Sequence, residues 1–434
     1  MLNYFIGDVL LLADVFEAFR DVSLGNYDLD PAHYVSSPQL SWDAMLHITD
    51  CELTLINDKA MYSMIDGGLR GGVSMISQRY SKANNKYMGS RYDPSQPSKY
   101  IMYWDANNLY GWAMSQPMPC GDFSWVDEDE FKQINWKEQS TNQSYGYFIE
   151  CDLDYPQAIH NQHNDYPLAP ERFAIDYKYL SETQVALRRN YSMAKSSGNV
   201  KLVPNLLSKQ KYMVHYLNLK FYLQHGMVLV KVHRVIRFRQ APWLASYIQK
   251  NQDLRAAART DFEKDFFKLM NNAVYGKTCE NIKKRTDIRL LIDEKKAQKL
   301  VQKPNCLGFK IFDENLLGVN MRKVKVVIDK PFYVGFAVLE LSKLHMYRFH
   351  YDFIQPKYGP KAKLLFTDTD SLMYEIETED AYSDMWHDRD QYDLASYPSS
   401  NPFYDASNNK VCHFFSSVFF FCIFYSYWVY SFPF

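Results

Sequence analysis

LLFTDTDSLMYEIE, Leu364 to Glu377, rises as a short apolar run, breaks at Asp368 and Asp370, and returns with strand-like alternation from Ser371. That pattern predicts a β-hairpin whose turn is Thr367–Asp370. Two aspartates at a hairpin tip are placed where a loop can aim them at a ligand. Taken alone, the tip would be an ordinary turn closed by its own aspartates. Its meaning comes from what surrounds it.

Ahead of the hairpin, Val334–Tyr358 carries a helical pattern. Further upstream, Ile101–Trp104 is a β-type run that leads straight into Asp105-Ala-Asn-Asn-Leu-Tyr110. Between these lies the best-defined helix, Thr260–Gly276. Thr260 and Glu263 have capping-box spacing, and Gly276 is placed to end it. Phe262, Phe266, Leu269 and Ala273 form the predicted buried stripe. Lys264, Lys268, Asn272 and Tyr275 fall on the other side. A second long helix is expected over Tyr4–Arg20, amphipathic with a strong apolar stripe.

The chemistry follows from residue type. Phosphoryl transfer depends on positioning and charge neutralisation more than on covalent chemistry. Two carboxylates from separate segments suffice for Mg²⁺, which keeps waters and shares its other sites with substrate phosphate. Asp105 and Asp370 fit that need if the strand before Asp105 pairs beside the hairpin. Asp368 would support them, and Lys268 would neutralise a triphosphate. Each piece has a plainer explanation as a turn or a solvated helix position; their order along the chain makes coincidence improbable.

Composition sets bounds. Hydrophobic residues are 47% and charged residues 23% of 434, which permits a packed core and argues against global disorder. The seven cysteines show no CxxC and no zinc-ligand spacing, so they read as thiols of a reducing compartment. A net charge of −1 conceals an asymmetry. Lys201 to His350 holds 29 Lys and Arg against 12 Asp and Glu, a surplus of 17 that leaves −18 for the rest. A basic middle between acidic flanks suits a nucleic-acid channel, with solvated helix faces as the alternative.

With those residues in place, the three segments resemble motifs A, B and C of the family B DNA polymerases, protein-primed branch, found in viruses and self-synthesising DNA transposons. The patterns are D-x-x-S-L-Y, K-x-x-x-N-S-x-Y-G and D-T-D-S. They are met here by Asp105, Leu109 and Tyr110, by Lys268, Asn272, Tyr275 and Gly276, and by Asp368–Ser371. Asn108 and Ala273 stand where serines are usual, and Gly111 replaces a common proline. Arg70-Gly71-Gly72 resembles the Y-x-G-G segment that touches template, with Leu69 in the tyrosine position.

The resemblance implies an α+β fold. An antiparallel palm sheet bears Asp105 and the Asp368/Asp370 hairpin and is backed by helices, and helical fingers hold Thr260–Gly276. It implies DNA-directed DNA polymerase activity with two Mg²⁺ ions, or Mn²⁺ in their place, held by Asp105, Asp370 and Asp368. Tyr110 would lie under the sugar and exclude a 2′-hydroxyl. Lys268 would hold the triphosphate, and Asn272, Tyr275 and Leu109 would line the nucleotide. Arg70, Gly71, Gly72, Gly276, Lys277 and Thr369 would meet DNA. The implied partners are template-primer, dNTPs and a terminal protein that primes synthesis.

Tyr4 and Asp8 match the Y-x-x-x-D of a third proofreading motif, so an incomplete exonuclease remnant without 3′–5′ activity is expected. No K-x-Y follows Ser371, so the thumb is expected to be missing or truncated. Expected boundaries are an exonuclease-like end over 1–65, linker and first palm segment over 66–120, palm and first insertion over 121–234, fingers over 235–285, second insertion over 286–330, palm over 331–405, and an aberrant or apolar tail over 406–434. Cys412–Phe434 lacks charge and is long enough to span a bilayer. However, it is built from Phe, Tyr and Ser, and a membrane role is not the reading adopted. A non-catalytic DNA-binding remnant is the alternative function.

Overall fold

The helix Phe332–Arg348 is apolar nearly all the way round, and such a helix must be covered on more than one side. It lies between two sheets. On one side a four-stranded antiparallel sheet is ordered Met118–Trp125, Val228–Ala241, Tyr145–Asp154, Lys209–His215. Phe336 meets Phe148 there at 5.0 Å between ring centroids, and Tyr333 meets Phe123 at 4.5 Å. The helix then continues through a π-helical turn, Phe349–Ile354, into Gln355–Tyr358, where Pro356 sits in the first turn. The long helical pattern in the sequence is therefore one continuous but irregular element. This computed structural model describes residues 2–191, 200–412, 414–417 and 426–428.

On the other side lies a six-stranded sheet ordered Ser74–Ile76, Ala362–Asp368, Ser371–Glu377, Lys99–Ala106, Phe415–Ser417, Tyr392–Asp393. All neighbours are antiparallel except the last pair. Trp104 and Phe415 pack on Phe349, at 5.8 and 3.7 Å between centroids, and Tyr374 stacks on His350 at 5.9 Å. The expected α+β palm, an antiparallel sheet backed by helices, is present.

Phe415–Ser417 corrects the expected tail. The segment is a strand of this sheet, with Phe415 buried and Ser416 opposite Asp105. An aromatic residue that fills the space over the π-helical turn is core, whatever its chemistry suggests about membranes. Ser426–Trp428 pairs with Tyr80–Lys82. The rest of Cys412–Phe434 lies largely outside the described residues. Among those described, no helix is long and apolar enough to cross a membrane.

The helix Asp261–Thr278 packs against Ser37–Thr49 and Ala245–Ala257. Its capping box forms as expected, with the Glu263 amide donating to Thr260 Oγ1 at 3.2 Å and the Thr260 amide to Glu263 Oε2 at 3.1 Å. Its buried face differs from the predicted stripe. Phe266, Phe267, Met270, Asn271, Ala273 and Val274 are inside, whereas Phe262 and Leu269 are 49% and 42% exposed. Two covering helices bury a wider arc than a single apolar stripe can mark. Both Ser41 Oγ and Tyr247 Oη donate to the Met270 carbonyl, at 2.5 and 2.9 Å. Gly276 does not end the helix, which runs on to Thr278.

The first helix spans Leu2–Tyr27 and is longer than expected. Its N-terminal half leaves Val9, Leu10, Leu11, Leu12 and Val15 at least half exposed, and only its C-terminal half packs. Phe19 meets Phe266 there, and Tyr27 Oη donates to Asn251. Within 286–330, Asp287–Leu291, Leu316–Met321 and Cys306–Asp313 form a small separate sheet with helix Glu294–Val301.

Candidate active site

Sheet register brings the carboxylates together. Ser371 pairs with Asp105, and the Ala106 amide donates to the Asp370 carbonyl at 2.7 Å, so the end of one strand is locked to the turn of the other. Burial first, and then the facing Asp370, pushes the Asp105 carboxyl up to about 7, and Lys268 opposes the rise. Asp370 is raised as well, chiefly by burial, with Asp368 adding and Lys268 opposing. Asp368 differs from both: it is exposed at the tip and does not line the cleft.

The turn itself is held from outside the hairpin. Thr369 adopts a left-handed conformation, φ 55°, and its amide donates to the Val73 carbonyl at 2.8 Å. Its side chain lies over Gly72. A Cβ at Gly72 would stand 2.8 Å from Thr369 Cβ and closer still to Oγ1 and Cγ2. Arg70-Gly71-Gly72 is thus a strap across the back of the turn.

Arg70 corrects the expected DNA contact. It is 8% exposed, and its guanidinium donates to the carbonyls of Gly68 and Met213 at 3.2 and 2.8 Å and lies over the Tyr212 ring. A cation so engaged is turned away from any phosphate. The strap is also tied to the central helix, where buried Lys343 donates to the Arg70 carbonyl at 2.9 Å and pairs with Glu340 at 3.5 Å. Burial lowers the Lys343 ammonium to about 8 against the pull of Glu340.

A cleft of about 380 Å³ opens over Asp105 and Asp370, lined also by Leu109, Tyr110, Lys268, Asn272 and Thr369. The Tyr110 and Tyr275 rings meet at 4.4 Å between centroids, tilted by 33°, which joins the strand end to the helix. The departures at Asn108 and Gly111 fit each other. Asn108 begins helix Leu109–Ser115 with φ 46°, and its side chain folds over Gly111, where a Cβ would lie 2.6 Å from Asn108 Cγ.

Gly276 and Lys277 lie away from this cleft, and Lys277 is paired with Glu280 at 3.3 Å. Asp8 is exposed on the first helix; the side chain of Tyr4 lies outside the described residues. Among the described residues no three His, Cys, Asp or Glu side chains cluster as a metal cage.

The cleft also contains residues that the sequence reading missed: Arg255, Asp393, Ser396, Lys410 and Ser416. Asp393 is 3% exposed and accepts from Asn107 Nδ2, from the Lys410 amide and from the Ala395 amide, at 2.8, 2.9 and 3.0 Å. Arg255 was legible as a cation one helix before Lys268. The others carried no signal, because only the closing strand brings them here.

The profile of DNA polymerase type B, organellar and viral, matches residues 1–356, a span that includes Asp105 and Lys268 and stops short of the hairpin. No curated protein matches the chain. Among solved structures, Phi29 DNA polymerase in an orthorhombic crystal form is similar at 13% identity and TM-score 0.48, over 88% of this chain and 52% of that one. Phi29 DNA polymerase complexed with primer-template DNA, a post-translocation binary complex, is similar at 14% identity and TM-score 0.46, over 81% and 50%. The chain spans about half the length of these proteins.

Proposed function

This chain belongs to the organellar and viral type B DNA polymerases, and from that premise we propose that it extends a DNA primer on a template by transferring dNMP from dNTP. The observation that carries the reading is the register that sets Asp105 beside Asp370, with Lys268 across the same cleft.

The donor set fits Mg²⁺. Asp105 and Asp370 offer hard oxygen ligands only, and their mutual repulsion is the kind a divalent cation relieves. Asp105 and Asp370 would hold the metal, with Asp368 nearby at the tip. When bound, the ions supply charge neutralisation at the attacking and leaving oxygens.

Lys268 and Arg255 neutralise the triphosphate from the helical side, and Tyr110 sits under the sugar of the incoming nucleotide. Asn272 and Tyr275 complete that wall. The 3′ oxygen forms its bond to the α-phosphorus as the α–β bridging bond breaks. The electron pair leaves with pyrophosphate, and the hydroxyl proton passes to water.

The test is primer extension with dNTPs and Mg²⁺. Wild-type chain should extend the primer, and Asp105→Asn and Asp370→Asn should each lower the rate by at least about a hundredfold, the size of a lost electrostatic contribution at a reacting centre. Equal rates for wild type and both variants would refute the assignment.

A further inference from the structure

A turn of three residues, Ala106 to Asn108, separates Asp105 from helix Leu109–Ser115, which carries Tyr110. This turn is held by the segment that follows the hairpin. The Asn107 amide donates to the Phe414 carbonyl at 3.0 Å, and Asn107 Nδ2 donates to Asp393 Oδ2 at 2.8 Å. Asn108 Nδ2 donates to Cys412 Sγ at 3.4 Å. Asn108 sits at φ 46°, outside the helical conformation of the residues after it, so the point where the helix starts depends on what grips the turn.

Asp393 is the buried member of that grip. It stands in one row of the sheet with Ser416, Asp105 and Ser371, each opposite the next. It borders the cleft yet is 3% exposed. Asn107 Nδ2 and the Lys410 amide both donate to its Oδ2, and the Ala395 amide donates to its Oδ1. A carboxylate engaged by three N–H groups is spent on the protein and is held in one orientation. An amide in its place would turn an NH₂ toward one of those donors, so the acceptor-only carboxylate is what the geometry requires.

We propose that Asp393 is a positioning residue for nucleotide selection: through Asn107 it fixes the turn that sets Tyr110 relative to Asp105. Tyr275 meets the Tyr110 ring on the helical side, and Asp393 holds the backbone that delivers that ring. Loosening the turn lets Tyr110 give way before a 2′-hydroxyl, so discrimination between deoxyribose and ribose falls. This rests on the polymerase reading, and extends it to a residue forty-odd Å of chain beyond the hairpin only in sequence, since the sheet returns it to the strand of Asp105.

The probes are dATP and ATP, each titrated by calorimetry in Mg²⁺ into the full chain bound to primer-template whose primer ends in a dideoxynucleotide. Wild type should favour dATP by about a hundredfold, the usual limit for rejecting one added hydroxyl by shape. Asp393→Ala should weaken dATP by about tenfold, the scale of a lost hydrogen bond to a charged group, and weaken ATP much less, so that the preference shrinks. Asn107→Ala, which removes one bond and leaves the carboxylate in place, should act in the same direction by less. Primer-template affinity should be the same in all three.

A wild type that binds neither nucleotide, or does not distinguish them, overturns the proposal. So does an unchanged preference in both variants: a lower urea midpoint with that result makes Asp393 structural only. Loss of primer-template binding in Asp393→Ala also overturns it, and makes the segment a strand contact. Because the titration needs no turnover, a chain that selects dATP through Asp393 but never extends an ordinary primer would sink the polymerase reading alone.

Discussion

Gly72 acts through volume. The Thr369 side chain occupies the place of a Cβ there, and Thr369 is fixed between the two aspartates by the hydrogen bond its amide donates to the Val73 carbonyl. Gly72→Ala should therefore push the turn and separate Asp370 from Asp105, lowering primer extension by at least tenfold with little change in DNA affinity. Thr369→Gly removes the obstructing atoms and suits φ 55°, so the double variant should recover most of the loss. Failure of the double variant to recover would show that Gly72 matters for another reason, such as template contact. The glycine pair was visible in the sequence but this contact was not, because steric complementarity between residues 72 and 369 leaves no trace in either segment. Arg70 misled for the same reason: an arginine beside two glycines looks solvent-facing until Tyr212 and the Met213 carbonyl are seen to enclose it.

The central helix shows how elements constrain one another. Glu340 and Lys343 are 1% and 5% exposed, on a helix covered by two sheets. Lys343 donates to the Leu339 and Arg70 carbonyls, and Glu340 Oε2 accepts from the His215 amide at 3.4 Å. Removing one member of a buried pair leaves a charge unanswered and costs about 3–5 kcal/mol, whereas replacing both is far milder. Lys343→Met should thus lower the urea midpoint strongly, and Glu340→Gln with Lys343→Met should restore much of it. Equal midpoints for single and double variants would mean that the pair is not coupled. Helix and hairpin were legible from periodicity and turn residues, since those signals are local. The buried arc of Asp261–Thr278 was not. Its position depends on two neighbours more than two hundred residues away or on the preceding helix, and the polar residues Asn271 and Ser41 take part in that packing.

At the scale of the molecule, two charge patterns have measurable consequences. The surplus of basic residues between 201 and 350 predicts DNA affinity that falls steeply with salt, with a log–log slope of about −0.9 per phosphate neutralised. A flat salt response would remove the channel reading. Charge asymmetry was visible in the sequence, yet its meaning near the cleft came from two cations of that stretch on separate helices, Arg255 and Lys268.

The second pattern is buried imidazole. Burial lowers His215 and His350 to about 3 and His163 to about 4 from an ordinary 6.5, so all three are neutral in the folded chain and take protons only when it unfolds. Their contribution is complete above 6.5 and is lost as pH falls toward 4, at about 1.4 kcal/mol per pH unit for each. His215 isolates the effect. Its Nδ1 accepts from the Leu217 amide at the start of Tyr216–Gln224, its ring packs on Phe148 and Tyr216, and its backbone amide donates to Glu340 Oε2. Asparagine caps a helix equally well but does not titrate. Urea unfolding of wild type and His215→Asn should therefore give a stability difference that shifts in favour of the variant by about 1.4 kcal/mol per unit between pH 6.5 and 4.5. A difference independent of pH would show that this imidazole already carries its proton in the folded protein.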